Sequence, residues 1–199
     1  MEITFNQKIA AELVGTTLLL AIVTGSGIIG ESMSAGNAAV ALLGNSIATG
    51  CGLFVLVTSL SPISGAHFNP VVSFMFWRAG ALEIKALLAY LMAQFDGAIA
   101  GVWITHLIFS LDILQTSTKP RNGAGICLSE FIATIILLSV IHLGIKYAKN
   151  KVPMLIAMSV TTGYWFTSST FFANPAVTLT RSLTNTFVGI APADVLEFF

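Results

Sequence analysis

Two Asn-Pro pairs in apolar surroundings are the residues of this chain best placed to do chemistry. Asn69-Pro70-Val71 follows Gly65-Ala66-His67-Phe68, and Asn174-Pro175-Ala176 follows Phe171-Phe172-Ala173. An Asn side-chain oxygen accepts from a free backbone N–H at a helix start, and Pro suits the first turn, where no N–H is needed. Each pair therefore predicts a helix beginning at the Asn. In a membrane such a start leaves amides unpaired, which is tolerated only where the backbone is buried in protein or lines a wet cavity. Two starts predict one shared cavity. The Asn side-chain amides would donate there to a small molecule, and the positive helix ends would disfavour cations.

Carboxylates inside apolar runs are costly and face the bundle interior, and Glu12 and Glu130 are two such residues. Asp96, in Gln94-Phe95-Asp96-Gly97, is a third, either a buried hydrogen-bonded group or a subunit contact. The groups that catalysis needs are missing. Three His residues lie far apart without metal-ligand spacing, and no Ser-His-Asp set or Gly-rich phosphate loop is present. The expectation is no catalytic residue, no metal and no cofactor. His106 and His142 carry no evident signal, and Cys51 and Cys127, outside any Cys-x-x-Cys pattern, read as packing residues.

The elements that must position these residues are membrane helices. Of the 199 residues, 55% are hydrophobic and 9% charged, against roughly 25% charged in soluble domains. Apolar runs near 9–29, 38–60, 82–109, 126–146 and 153–170 approach the ~20 residues that span a bilayer. The expectation is five spans in an all-α, multi-pass membrane protein. The first run carries Glu12 and lacks a basic start with a small-residue cleavage site, so it reads as a retained helix and not a signal peptide. With the N-terminus inside, Lys8, Arg78, Lys85, Lys146, Lys149 and Lys151 fall inside and Lys119, Arg121 and Arg181 outside, the bias of a positive inner face. A net charge of zero gives no footprint for nucleic acid.

An internal repeat organises the spans. Ala11-Glu12-Leu13-Val14-Gly15-Thr16 is echoed by Ser129-Glu130-Phe131-Ile132-Ala133-Thr134, and Ser46-Ile47-Ala48-Thr49-Gly50 by Ser159-Val160-Thr161-Thr162-Gly163. Glu, Thr-Gly and Asn-Pro thus recur in one order within a single domain, residues 1–199, with halves of about 1–115 and 120–199. Three spans precede the second half, so the halves must be inverted and their half-helices must point at one another.

The paired Asn-Pro motifs, together with Ser64-Gly65-Ala66-His67-Phe68 ahead of the first, resemble the aquaporin (major intrinsic protein) family from about Glu12 to Pro192. The resemblance implies an aquaporin-like inverted repeat with two re-entrant half-helices. It makes Glu12 and Glu130 supports for the loop backbones and His67 a pore residue, either a titrating gate or a plain wall. Residues 185–199, with Gly189, Pro192, Asp194 and Glu197, are too short and polar to span. The family's sixth helix is thus expected to be missing, the fold C-terminally truncated, with Asp194–Phe199 as that helix's first turn.

The family's spacing from the Asn-Pro motifs places the selectivity filter at Thr49, Thr162, Phe171 and Val177, the last a position nearly always Arg in the family. Val removes a fixed cation and five donors. A wider, less charged pore with two hydroxyls is the expectation. Arg181, four residues beyond Val177, lies on the same helix face and either restores a positive mouth or snorkels. The Arg-to-Val change with Thr180-Arg181 beyond it resembles the arsenite-channel branch of bacterial aquaporins. This implies a passive channel for small neutral solutes: arsenite and other metalloid acids, glycerol and, as a further candidate, water. A homotetramer in the bilayer of a cell inner membrane is implied with it. The missing helix supports a different expectation, a non-conducting relic or a subunit kept only for assembly.

Overall fold

The computed structural model describes residues 3–198, all of whose regular structure is helical. Four long helices come first to mind as spans: α1 (Phe5–Met33), α2 (Ala38–Ser64), α4 (Ile84–Ile108) and α5 (Ala124–Tyr147), separated by the half-helix α3 (Pro70–Arg78) between the second and third. The shorter α6 (Val152–Phe166) and the half-helix α7 (Pro175–Arg181) complete the second half. Thr4 starts α1 in a capping box with Gln7, and Asn37 caps α2 through the amides of Ala39 and Val40. These ends are built by local side chains, as a helix start without neighbours requires.

Close helix approach uses small residues. A Cβ on Gly97 of α4 would lie 2.5 Å from the carbonyl oxygen of Leu13, and one on Gly101 2.3 Å from that of Thr17, so α4 meets the backbone of α1 directly. Gly50 likewise brings α2 against Thr161 of α6. Leu20, Phe68, Val102, Ala133, Ala176 and Val188 form the shared core beneath these contacts.

Several expectations need correction. The fifth run forms a shorter α-helix than its 153–170 extent: α6 has 15 residues, about 22 Å at 1.5 Å per residue, preceded directly by a 3₁₀ turn at Lys149–Lys151. The Thr167-Ser168-Ser169-Thr170 stretch leaves the helix, with Thr167 Oγ1 bonded back to the Gly163 carbonyl at 2.7 Å, since such side chains offer the backbone an alternative to helix. Pro192–Phe198, expected as the first turn of an α-helix from Asp194, is a 3₁₀ helix packed on α5 and α7; Phe199 lies outside the described residues. Asp96 is exposed on α4 and not buried. Cys51 and Cys127 are free and exposed, so neither packs in the core.

Candidate functional site

The two loops leading into α3 and α7 share one construction. Ala66 and Phe68 have φ of 52° and 48°, and Phe171 and Ala173 have 56° and 44°, so positions three and one before each Asn are left-handed. Non-glycine residues pay about 1–2 kcal/mol each for that conformation. Carboxylates offset it. Glu12 accepts from the amides of His67 (2.9 Å) and Phe68 (2.8 Å), and Glu130 from those of Phe172 (3.0 Å) and Ala173 (2.7 Å). The first half adds donors from Ser64 Oγ at 2.6 Å and Gln94 Nε2 at 2.8 Å, the latter also reaching Ser73 Oγ at 2.9 Å. Tyr90 donates to the Ser64 carbonyl at 2.8 Å. Gln94 and Tyr90 escaped the sequence reading, although an i, i+4 polar pair inside an apolar span is itself a signal of an interior face.

Pro70 and Pro175 open their helices, and each Asn caps its own. Asn69 Oδ1 accepts from Val71 N at 2.9 Å; Asn174 Oδ1 accepts from Ala176 N at 3.0 Å and Val177 N at 3.3 Å. The side-chain amides cross over. Asn69 Nδ2 donates to the Ala173 carbonyl at 2.7 Å, and Asn174 Nδ2 to the Phe68 carbonyl at 2.8 Å. An amide carries two N–H groups, so one of each stays available to the cavity.

That cavity, about 560 Å³, runs from Lys149 and Pro153, at the lysine-rich face of the molecule, past Asn69 and Asn174 to Tyr164 and Arg181. His67 lines it, stacked on Phe76 at 4.5 Å with Nδ1 3.0 Å from Ser73 Oγ. Of the four filter positions, Thr49, Phe171 and Val177 line it and Thr162 does not. Thr162 is exposed, its hydroxyl bonded to the Met158 carbonyl at 2.7 Å. Gly163 packs so closely on Phe171 that a Cβ would lie 2.2 Å from its ring. This contact sets the rotation of α6 and turns Ile156, Val160 and Tyr164 to the cavity. Tyr164 Oη sits 3.2 Å from Thr49 Oγ1. Arg181 does not snorkel to the surface: it is 2% exposed and borders the cavity one helical turn beyond Val177.

Buried polar pins hold the loops at this end. His106, without signal in the sequence, is wholly buried, with Nδ1 2.9 Å from the Ile113 carbonyl and Nε2 2.8 Å from Thr184 Oγ1. Asp194 accepts from Arg121 N at 2.7 Å and Asn122 Nδ2 at 3.0 Å. The Asn122 bond, with the Arg121 amide, holds its carboxyl below the usual value. The cavity itself is lined mostly by apolar side chains, with a few fixed donors among them.

The family model for "Major intrinsic protein" matches residues 1–189. Aquaglyceroporin AqpS of Rhizobium meliloti (strain 1021) is 48% identical over 99% of this chain, which spans 84% of that relative. Aquaporin NIP1-2 of Arabidopsis thaliana is 35% identical over 80% of the chain, which spans 56% of it. Among solved structures, the aquaglyceroporin from Plasmodium falciparum superposes with a TM-score of 0.73 at 20% identity, covering 87% of this chain and 78% of that one.

Proposed function

The chain belongs to the major intrinsic protein family, and from that membership we propose that it is a passive transmembrane channel for small neutral polyhydroxyl solutes, arsenous acid first and glycerol next. The observation that carries the reading is the wall of the cavity. Its lining includes both Asn residues and Val177, with Thr49 and Tyr164 offering hydroxyls and Phe171 an apolar face. Val in place of a guanidinium leaves room for solutes larger than water, and the hydroxyls can replace part of a solute's hydration. The 48% identity to an aquaglyceroporin of a bacterium supports the same solute class.

The proposed roles follow. Asn69 and Asn174 each donate their remaining N–H to the solute at mid-passage. Glu12 and Glu130 hold the loops, and catalysis has no part. We read the setting as a bacterial inner membrane and the assembly as a homotetramer with one pore per subunit. Asp96 supports a protein neighbour on the outer side of α4, because a carboxylate facing lipid at mid-span costs about 3 kcal/mol.

The test is flux in proteoliposomes of the purified chain. Arsenous acid, glycerol and water are followed side by side near neutral pH, where arsenous acid is uncharged. Glycerol and arsenous acid fluxes above those of empty liposomes are expected. Water flux alone, or none, would overturn the reading.

A further inference from the structure

Arg181 is a buried cation with no ion pair among the described residues. One face of its guanidinium lies over Phe172, with Cζ 3.5 Å from the ring centroid, and Nε donates to the Val188 carbonyl. Among the described residues the one ion pair within 4.0 Å joins Lys119 to Glu31, so no carboxylate pairs with Arg181. Nearby acids are committed elsewhere: Glu130 to the amides of Phe172 and Ala173, Asp194 to Arg121 N and Asn122. Arg121 faces the same Phe172 ring at 5.6 Å but spends Nε on the Gly189 carbonyl and Nη2 on that of Phe187. The Nη atoms of Arg181 have no such acceptor among the described residues.

A guanidinium does not give up its proton in a protein, and buried charges are ordinarily paired. No described residue pairs with the Nη edge within hydrogen-bond distance, which leaves that edge open to an anion from solution. With Nε taken by Val188, the open edge is that of Nη1 and Nη2, two parallel N–H groups on a side chain that borders the cavity beside Tyr164. This edge matches two oxygens of one anion and not a spherical halide.

We propose that Arg181 forms a binding site for a small inorganic oxyanion of the phosphate kind, held bidentately by its Nη edge with the Tyr164 hydroxyl as a further donor, and that the bound anion obstructs neutral solutes. The site lies one turn beyond Val177, so the anion reaches it without passing the Asn pair. Occupancy from the Arg181 side is therefore enough to slow flux.

The experiment titrates the purified full chain with sodium phosphate by calorimetry, with sodium chloride at equal ionic strength as the contrast. The variants are Arg181→Gln and Arg181→Lys, with helix content checked by circular dichroism. One phosphate site per chain is expected, at least about tenfold weaker in Arg181→Gln for the loss of a charge-assisted fork, intermediate in Arg181→Lys, and not matched by chloride. Should Arg181→Gln fail to fold, the lysine variant carries the comparison, since it keeps the charge and loses the fork. Glycerol efflux from proteoliposomes is expected to slow with added phosphate in the parent and not in the variants. Equal phosphate binding by parent and variants, chloride binding as tight as phosphate, or phosphate binding that leaves a conducting parent's glycerol flux unchanged would each overturn the proposal. A chain that binds phosphate through Arg181 and passes no glycerol upholds the site while failing the channel reading.

Discussion

The hydroxyl of Tyr164 lies 3.2 Å from that of Thr49, tying α6 to α2 across the wall of the cavity. Tyr164→Phe keeps the bulk and loses the bond, so stability is expected to fall by about 1 kcal/mol with the solute size limit unchanged. Tyr164→Ala removes the ring, and polyols larger than glycerol are expected to enter. Thr162→Ala is the control, because its side chain is exposed. Liposome shrinkage with polyols of rising size reads both effects. A Thr162→Ala protein with an altered size limit would reverse the assignment.

Val177 borders the cavity three residues beyond Asn174, where its replacement by a longer, charged side chain would project inward. Val177→Arg is expected to lose arsenous acid and glycerol flux by about tenfold or more, a barrier rise of ~1.4 kcal/mol, and water flux to a smaller degree. Thr49→Phe acts in the same direction. Parallel flux measurements on the folded variant check the order of loss.

The crossed amide bonds make Asn69 and Asn174 structural as well as polar. Changing both to Asp sets a carboxylate oxygen against the Ala173 and Phe68 carbonyls, where an N–H had donated. Each lost donor costs about 1–3 kcal/mol, so lower thermal stability is expected together with a measurable cation leak, read as current or as collapse of an ion gradient. A stable double variant that still excludes cations would remove the pair from the exclusion mechanism.

Glu12 accepts four donors and Glu130 two backbone amides. A Gln at either place turns an NH₂ toward a backbone N–H and leaves it unpaired. Glu12→Gln is expected to destabilise by about 3 kcal/mol or more, and Glu130→Gln by less. Thermal unfolding in one detergent compares them; the opposite order would sink the argument from donor number.

The acid limb of stability has a visible contributor in Asp194, held below its ordinary value of 3.8 chiefly by Asn122 and then by the Arg121 amide. A depressed carboxylate adds stability above its unfolded value and loses it as pH falls through the folded one. Stability is therefore expected to drop below about pH 4, and to drop less steeply in Asp194→Asn. Unfolding midpoints across that range supply the check.

Much of this molecule is determined by the order of residues along the chain. The Asn-Pro pairs dictate helix starts, because capping oxygen and missing donor act within one turn. The apolar runs dictate α1, α2, α4 and α5 to within about four residues at either end, and the echo of Glu12 in Glu130 marks two loops built alike. These are local or repeated signals. What only the tertiary structure decided is rotation and exposure. Counting back twelve residues from Asn174 reaches Thr162, but the closeness of Gly163 to Phe171 turns α6 so that Tyr164 meets the cavity instead. Asp96, Cys51 and Cys127 face outward, while Arg181 faces in over Phe172. Neither hydropathy nor spacing could separate these outcomes, since α1, α2, α4 and α5 are apolar all round and the face that each turns inward is set by which neighbour packs against it.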